Sequence, residues 1–333
     1  VNRLRFSRRY IVLLVGLAVI PIGWIAAWQW LGSNAALPAH ERPLVTVTEI
    51  SAEATGSLEK DRQTAASPEA QKKSAPAPSV EGFLAAFELN AGQGPLDADY
   101  FSRMIAADQP YDGDRYLEPS ELAFAREVID RLRAVEAHVG HGRFNTLGFE
   151  KVFKVASDLP SARFSVPQIR FMRALFGRSN TFFDYRGARV SEEFLAHHNP
   201  EDLVHYPEDG DYLIDGEPSR RFDALKQKLG NSLTLMSGYR GHPKQMLLYL
   251  DKVVASDGNL SLASRNRAPA GYSYHFSGDF DIGDRRLGDA NFSRQFLKSP
   301  VYQATLQSDE WAQRYPHHNV LGVRFEPWHI IGQ

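Results

Sequence analysis

The sequence predicts an α+β chain, helices first and strands later, set behind one apolar N-terminal span and a low-complexity linker. Three observations predict this. Tyr10 to Leu31 form an apolar run without a charge. Residues 32–80 are rich in Ala, Pro, Ser, Glu and Lys and poor in aromatics. From Glu81 onward, amphipathic helical periods come first, and short apolar runs holding isolated histidines and carboxylates come later.

The whole chain sets outer limits. Its 333 residues suffice for one large or two ordinary domains. A hydrophobic fraction of 43% with 23% charged residues is that of a globular protein. The formal net charge is −2 and the body of the chain holds no Lys/Arg block, so no nucleic-acid partner is expected. Cysteine is absent, which removes disulfides, thiolate nucleophiles and Cys-based zinc sites.

Arg3, Arg5, Arg8 and Arg9 precede the apolar run, which is 22 residues long. At about 1.5 Å per residue that length crosses a bilayer core. Pro21 introduces a kink of the kind membrane helices tolerate, and Trp24, Trp28 and Trp30 cluster at the far end like an aromatic belt. The expectation is a cytoplasmic basic segment (1–9) and a single-pass anchor in the cytoplasmic membrane (10–31), with the remaining chain on the periplasmic side. A cleaved signal peptide is the rival reading, since Ser33-Asn34-Ala35 is a passable cleavage site, and a buried core helix is a third. Residues 32–80 cannot bury enough apolar surface to offset their ordering entropy and are expected to be a disordered tether.

Residues 81–205 read as a mainly helical accessory region. Leu122, Ala125, Ile129 and Leu132 line one face of a helix over Ser120–Leu132, with Pro119 at its start. A second helix is predicted from Pro167 to Phe176, closed by Gly177. The stretch from Asp108 to Asp114 resembles a calcium loop only superficially. With Gly113 at loop position 6, Pro110 and Pro119 fall where ligands are needed. His197, His198 and His205 have no spacing that converges them and read as loop or surface histidines.

Residues 206–333 carry the chemistry. A helix is predicted over Pro218–Leu229 with Gly230 at its C-terminal cap, then a strand-like run Ser232–Met236. The run leads into Ser237-Gly238-Tyr239-Arg240 and a helix with Met246, Leu247, Leu250 and Val253 facing inward. Arg240 in that turn fits a cation aimed at a bound anion, and fits equally a surface arginine. In Gly271–Asp284, His275 and the carboxylates Asp279 and Asp281 alternate with bulky residues, as on a strand or extended turn. A structural His–Asp pair fits that pattern as well as a metal site does. Ser293–Lys298 and Pro300–Arg314 look helical. Val323–Ile331 is an apolar, aromatic strand that nonetheless holds Glu326 and His329, which must be paired, ligated or neutral if buried. Pro327 denies a ladder N–H, so this strand is expected at a sheet edge or broken there. Two histidines, an aspartate and a free glutamate are the components of a catalytic zinc site with an open position for water.

These motifs together resemble the zinc D,D-carboxypeptidases of the VanY type, the LAS-type metallopeptidases. The resemblance rests on Ser237-Gly238-Tyr239-Arg240 with Gln245, on Ala268-Pro269-Ala270-Gly271-Tyr272-Ser273-Tyr274-His275 leading to Asp281-Ile282-Gly283, and on Glu326-Pro327-Trp328-His329. Tyr315-Pro316, Asn319 and Gly322 also fit. The resemblance implies a small α+β domain whose antiparallel sheet carries the metal, with helices on one side. It implies Zn2+ held by His275, Asp281 and His329, with Glu326 as the base that deprotonates the attacking water. Arg240, Gln245 and Ser273 would hold the peptide end, Arg240 its terminal carboxylate. The substrates implied are peptidoglycan stem peptides losing a C-terminal D-Ala. The family's aspartate ligand stands seven residues after the first histidine, where this chain has Ile282. Deleting one residue after Gly278 aligns Asp281, and leaves Asp279 as fallback ligand or as a partner to a ligand. Two alternatives stand beside the carboxypeptidase reading: a degenerate, non-hydrolytic module that binds wall peptide or a partner, and a peptidoglycan endopeptidase.

Overall fold

The structure, a computed structural model, describes residues 96, 98–307 and 311–332. The expected anchor (10–31) and linker (32–80) lie outside the described residues. Among the described residues no helix is long and apolar enough to cross a membrane.

Helices lead, each started by local chemistry. After α1 (Tyr100–Ile105), α2 (Pro119–Val139) opens with Pro119 in its first turn and a reciprocal cap between Glu118 and Glu121. It runs seven residues beyond the predicted Leu132. Short α3 (His141–Asn145) and α4 (Phe149–Asp158) follow. In α5 (Val166–Phe176) the Ser165 hydroxyl accepts from the Gln168 N–H. A small antiparallel hairpin, β1 (Leu203–Tyr206) and β2 (Asp211–Ile214), leads to α6 (Glu217–Leu229). Gly230 closes α6 at φ +57°, a backbone setting that glycine adopts without strain.

The second half builds a four-stranded antiparallel sheet in the order β3-β4-β6-β5. Its strands are β3 (Leu233–Ser237), β4 (Phe280–Asp284), β5 (Gln313–Tyr315) and β6 (Glu326–Ile330). Between β3 and β4 lie α7 (His242–Ala255) and α8 (Leu260–Asn266), and α9 (Pro300–Thr305) precedes β5. The described region is thus α+β with small antiparallel sheets.

Several local expectations are corrected. The strand in Gly271–Asp284 begins only at Phe280, and His275 sits in a 3-10 turn, Tyr274–Phe276. Within Ser293–Lys298 only a 3-10 turn, Phe296–Lys298, forms. The helix from Pro300 stops at Thr305, and Arg314 belongs to β5. β6 is an inner strand, not an edge. The irregularity foreseen at Pro327 is nonetheless present. The β5 partners Gln313 and Tyr315 are two apart, whereas their opposites Ile330 and Glu326 are four apart. The ladder between β5 and β6 is therefore irregular around Pro327.

Two apolar clusters flank the sheet region. One joins α2, α4 and α5 to α7 and α8 through residues such as Leu132, Val152, Met172, Leu250 and Ala263. The other packs Phe222 and Leu225 of α6 against Leu235, Phe280, Ile282, Trp328 and Ile330. Pleating then sends Asp281 and His329 to the face opposite Phe280, Ile282, Trp328 and Ile330. Simple alternation would place Glu326 with Trp328 and Ile330, yet along this irregular stretch its Oε2 comes within 3.6 Å of His329 Nδ1.

Candidate metal centre and substrate cleft

The site forms where the inner strands meet the turn after β3. Asp281 on β4 stands opposite His329 on β6 and opposite Ser237 on β3 in the ladder. His275 reaches the same point from its 3-10 turn. One ligand atom from each of His275, Asp281 and His329 lies within 4.8 Å of the others, and all three residues are buried. The His275 Nε2–Asp281 Oδ2 distance is 3.4 Å and the His329 Nδ1–Asp281 Oδ1 distance is 3.2 Å. Glu326 Oε2 is 3.6 Å from His329 Nδ1. The chain therefore delivers Asp281 despite the short spacing from His275. The 3-10 turn and Gly278, at φ +120°, take up the missing residue.

The other nitrogen of each imidazole is occupied. His275 Nδ1 donates to the Gly238 carbonyl at 2.8 Å. His329 Nε2 donates to Asp279 Oδ2 at 3.1 Å. These bonds leave His275 Nε2 and His329 Nδ1 as the nitrogens that face Asp281, the positions that a metal would take in place of a proton. Asp279 lies behind His329, outside the ligand cluster. Its carboxylate also accepts from Arg314 at 2.8 and 3.0 Å and from the Gly332 N–H at 3.1 Å.

Electrostatics follow the geometry. Burial opposes ionisation of Asp281, but His275, His329 and Arg240 outweigh it and hold the carboxyl well below the ordinary range. For Asp279, burial is likewise outweighed by His329 and Arg314, bringing it down to about 2. Burial disfavours a charged His329, yet hydrogen bonds to Asp279, Asp281 and Glu326 raise its pKa well above 6.5. His275 is pushed down by burial and by Arg240. The cluster thus holds ionised carboxylates around two imidazoles and attracts a positive charge.

The residues fit a zinc ion. Two imidazole nitrogens and one carboxylate are an N2O donor set for a tetrahedral centre with one open position. Apart from His329 Nδ1 at 3.2 Å, the buried Asp281 Oδ1 has no partner, as suits an oxygen that shares a cation with that nitrogen.

The cleft beside this cluster is lined by Arg240, Gln245, Arg267, Ser273, Tyr315 and Glu326, among others. All the residues singled out from the sequence therefore converge, with Asp279 one layer behind. Arg240 lines the cleft and is also tied into the site. Its Nε donates to Ser237 Oγ at 2.7 Å and a terminal nitrogen donates to Asp281 Oδ2 at 2.7 Å. His197, His198 and His205 lie outside the cleft lining.

The turn carrying Arg240 is clamped from behind. The Asp211 carboxylate accepts from the Gly238 N–H at 2.9 Å, and the Tyr239 N–H donates to the Tyr212 carbonyl at 2.7 Å. Asp211 and Tyr212 on β2, with Asn145 on α3, support the site without periodic or motif signal in the sequence. Arg267 and Arg314 were also missed, although each sits beside a quoted motif.

Comparison with known proteins agrees on the region. Residues 217–331 match the VanY family model, described as D-alanyl-D-alanine carboxypeptidase. Among solved structures, the chain is similar to the LdcB LD-carboxypeptidase at 25% identity and TM-score 0.33, over 40% of this chain and 70% of that one. It is similar at 22% identity and TM-score 0.30 to a mutant of the vancomycin resistance D,D-pentapeptidase VanY in complex with Zn(II), over 39% and 76%. VanYB in complex with D-Alanine-D-Alanine is similar at 22% identity and TM-score 0.30, over 39% and 75%. No curated protein matches the chain. The C-terminal third of the chain carries a VanY-type domain.

Proposed function

We propose that this protein is a zinc metallopeptidase that trims the C-terminal D-Ala from peptidoglycan stem peptides, with Glu326 as general base. The observation that carries this reading is the convergence of His275, Asp281 and His329 within 4.8 Å, with Glu326 beside them in a polar cleft. The family match over residues 217–331 supports the substrate class.

A zinc ion held there would supply Lewis acidity, lowering the pKa of a water towards about 7 and polarising the scissile carbonyl. The protein's own groups do the rest. Glu326 takes the proton of the attacking water and passes it to the departing amine. Arg240 holds Asp281 in place and keeps a cation beside the carbonyl oxygen as negative charge develops there. Ser273 and Gln245 line the cleft where the peptide end lies. We also propose that residues 10–31 anchor the domain on the periplasmic side of the cytoplasmic membrane, with 32–80 as tether. The charge-free run behind four arginines supports this, and protease accessibility in spheroplasts tests it.

The test of the enzyme reading is metal analysis joined to a D-Ala release assay on a stem pentapeptide. Stoichiometric zinc and D-Ala release are expected in the wild type. Glu326→Gln should keep the zinc and lose about 10²- to 10⁴-fold in rate. Protein that binds the peptide but holds no zinc and releases no D-Ala would replace this reading with a binding module.

A further inference from the structure

Arg240 and Arg267 are cleft-lining arginines in different situations. Arg240 is engaged with Ser237 and Asp281. The Arg267 guanidinium makes no hydrogen bond or ion pair with any described residue. Its backbone is nonetheless fixed. Arg267 caps α8, and its N–H donates to the Ala263 carbonyl at 2.8 Å. The preceding residues are pinned too, Arg265 by Asp114 at 2.8 and 2.9 Å and Asn266 by the Ala107 carbonyl at 3.1 Å. The guanidinium stands within electrostatic reach of Glu326, Asp281 and Arg240, and burial pulls its pKa down from the usual arginine value. Arginine does not give up its proton, so a desolvated guanidinium without a partner calls for an anion from outside.

A second unpaired group lies on the same wall. Gln245 is 2% exposed and its Nε2 donates to the Ala268 carbonyl at 2.6 Å, while its Oε1 is buried without a hydrogen-bond partner. The residue it grips follows Arg267 directly. An unmet cation next to an unmet acceptor is the complement of a peptide C-terminus, which offers a carboxylate and, within the same residue, an amide N–H.

The geometry points to Arg267 as the residue that receives the substrate's terminal carboxylate, with Gln245 Oε1 accepting the N–H of the same residue, so that the cleft selects a free C-terminus. This rests on the peptidase reading. It moves carboxylate recognition from Arg240, which holds Asp281, to Arg267, and it makes the site one for trimming chain ends rather than cutting within cross-links.

The test uses zinc-loaded protein and two peptides ending in D-Ala-D-Ala, one a free acid and one a C-terminal amide. Calorimetry reads binding and D-Ala release reads turnover of the acid. Wild type should bind the acid about 10- to 100-fold more tightly than the amide, the range for a hydrogen-bonded charge. Arg267→Ala should erase that preference and raise KM for the acid with kcat little moved, at unchanged zinc content and melting temperature. Arg267→Lys should restore part of it, and Arg267→Gln gives the same comparison should the alanine variant fold poorly. Equal affinity of wild type for acid and amide overturns the proposal, as does an acid preference that survives in the Arg267 variants. A wild type that prefers the acid through Arg267 yet releases no D-Ala sinks the peptidase reading alone.

Discussion

Asp279→Asn tests the carboxylate behind His329. The Asp279 carboxylate collects four donors: His329 Nε2, two from Arg314, and the Gly332 N–H. It sets the His329 tautomer so that Nδ1 faces Asp281. Alanine would leave the partly buried Arg314 unpaired, and breaking such a pair costs about 3–5 kcal/mol, which would confuse folding with binding. Asparagine keeps the shape and one acceptor but removes the charge that makes the imidazole a stronger donor. Partners of this kind are worth about 10- to 100-fold in metal affinity, or about 1.4–2.7 kcal/mol. The assay is zinc competition against a chelator at neutral pH, beside thermal melts of both proteins. Asp279→Asn should weaken zinc within that range, while Asp281→Ala should abolish stoichiometric binding. Undiminished zinc affinity in a folded Asp279→Asn protein refutes the orienting role. So does a loss as complete as that of Asp281→Ala, which would make Asp279 a ligand itself.

Three further outcomes follow from the same geometry. Zinc should raise the melting temperature of the chelated protein, by up to about 4 kcal/mol of stability at a thousandfold excess over Kd, and Asp281→Ala should remove the rise. Glu136 accepts from Lys244 at 2.7 Å and His141 at 2.9 Å; burial opposes its ionisation, but these partners bring its pKa from 4.5 down to about 2. Its stabilisation is then complete above pH 4.5 and fades as pH falls towards 2, so Glu136→Gln should cost about 1–3 kcal/mol at pH 7 and little near pH 2 in denaturant melts. In Gly238→Ala the new Cβ would run into the Tyr212 carbonyl oxygen. That clash should cost about 1–3 kcal/mol and weaken zinc binding, because the Gly238 carbonyl anchors His275; unchanged stability and zinc affinity would count against the clamp.

Much of the described fold was legible because its signals are local. Pro119, Ser165 with Gln168, and Gly230 mark helix ends through bonds and dihedrals made within a few residues. The expectations that failed depended on partners elsewhere. Gln313–Tyr315 is helix-compatible in isolation but pairs as a strand because β6 offers it a ladder. The α-helix expected over Ser293–Lys298 shrinks to a single 3-10 turn beside the second apolar cluster, where Phe296 is buried.

The site divides in the same way. The residue types and their order, His275, Asp281, Glu326, His329 with Arg240 and Gln245 upstream, were readable from the chain alone, because a zinc-type centre needs particular donors in particular motifs. Which aspartate faces the metal position came only from aligning the motif, since strand alternation does not separate the two. Asp279 and Asp281 are two apart and would share a face on an ideal strand, yet β4 begins at Phe280 and frees Asp279 to turn behind His329. The approach of Glu326 to His329 within 3.6 Å runs against simple alternation along β6 and accompanies an irregular ladder with β5. Whether Arg240 or Arg267 is open to a ligand depends on which carboxylates reach them through space. Sequence by itself determined the donors and their motifs; tertiary structure decided tautomers, faces and unpaired charges, since these arise from contacts between residues far apart in the chain.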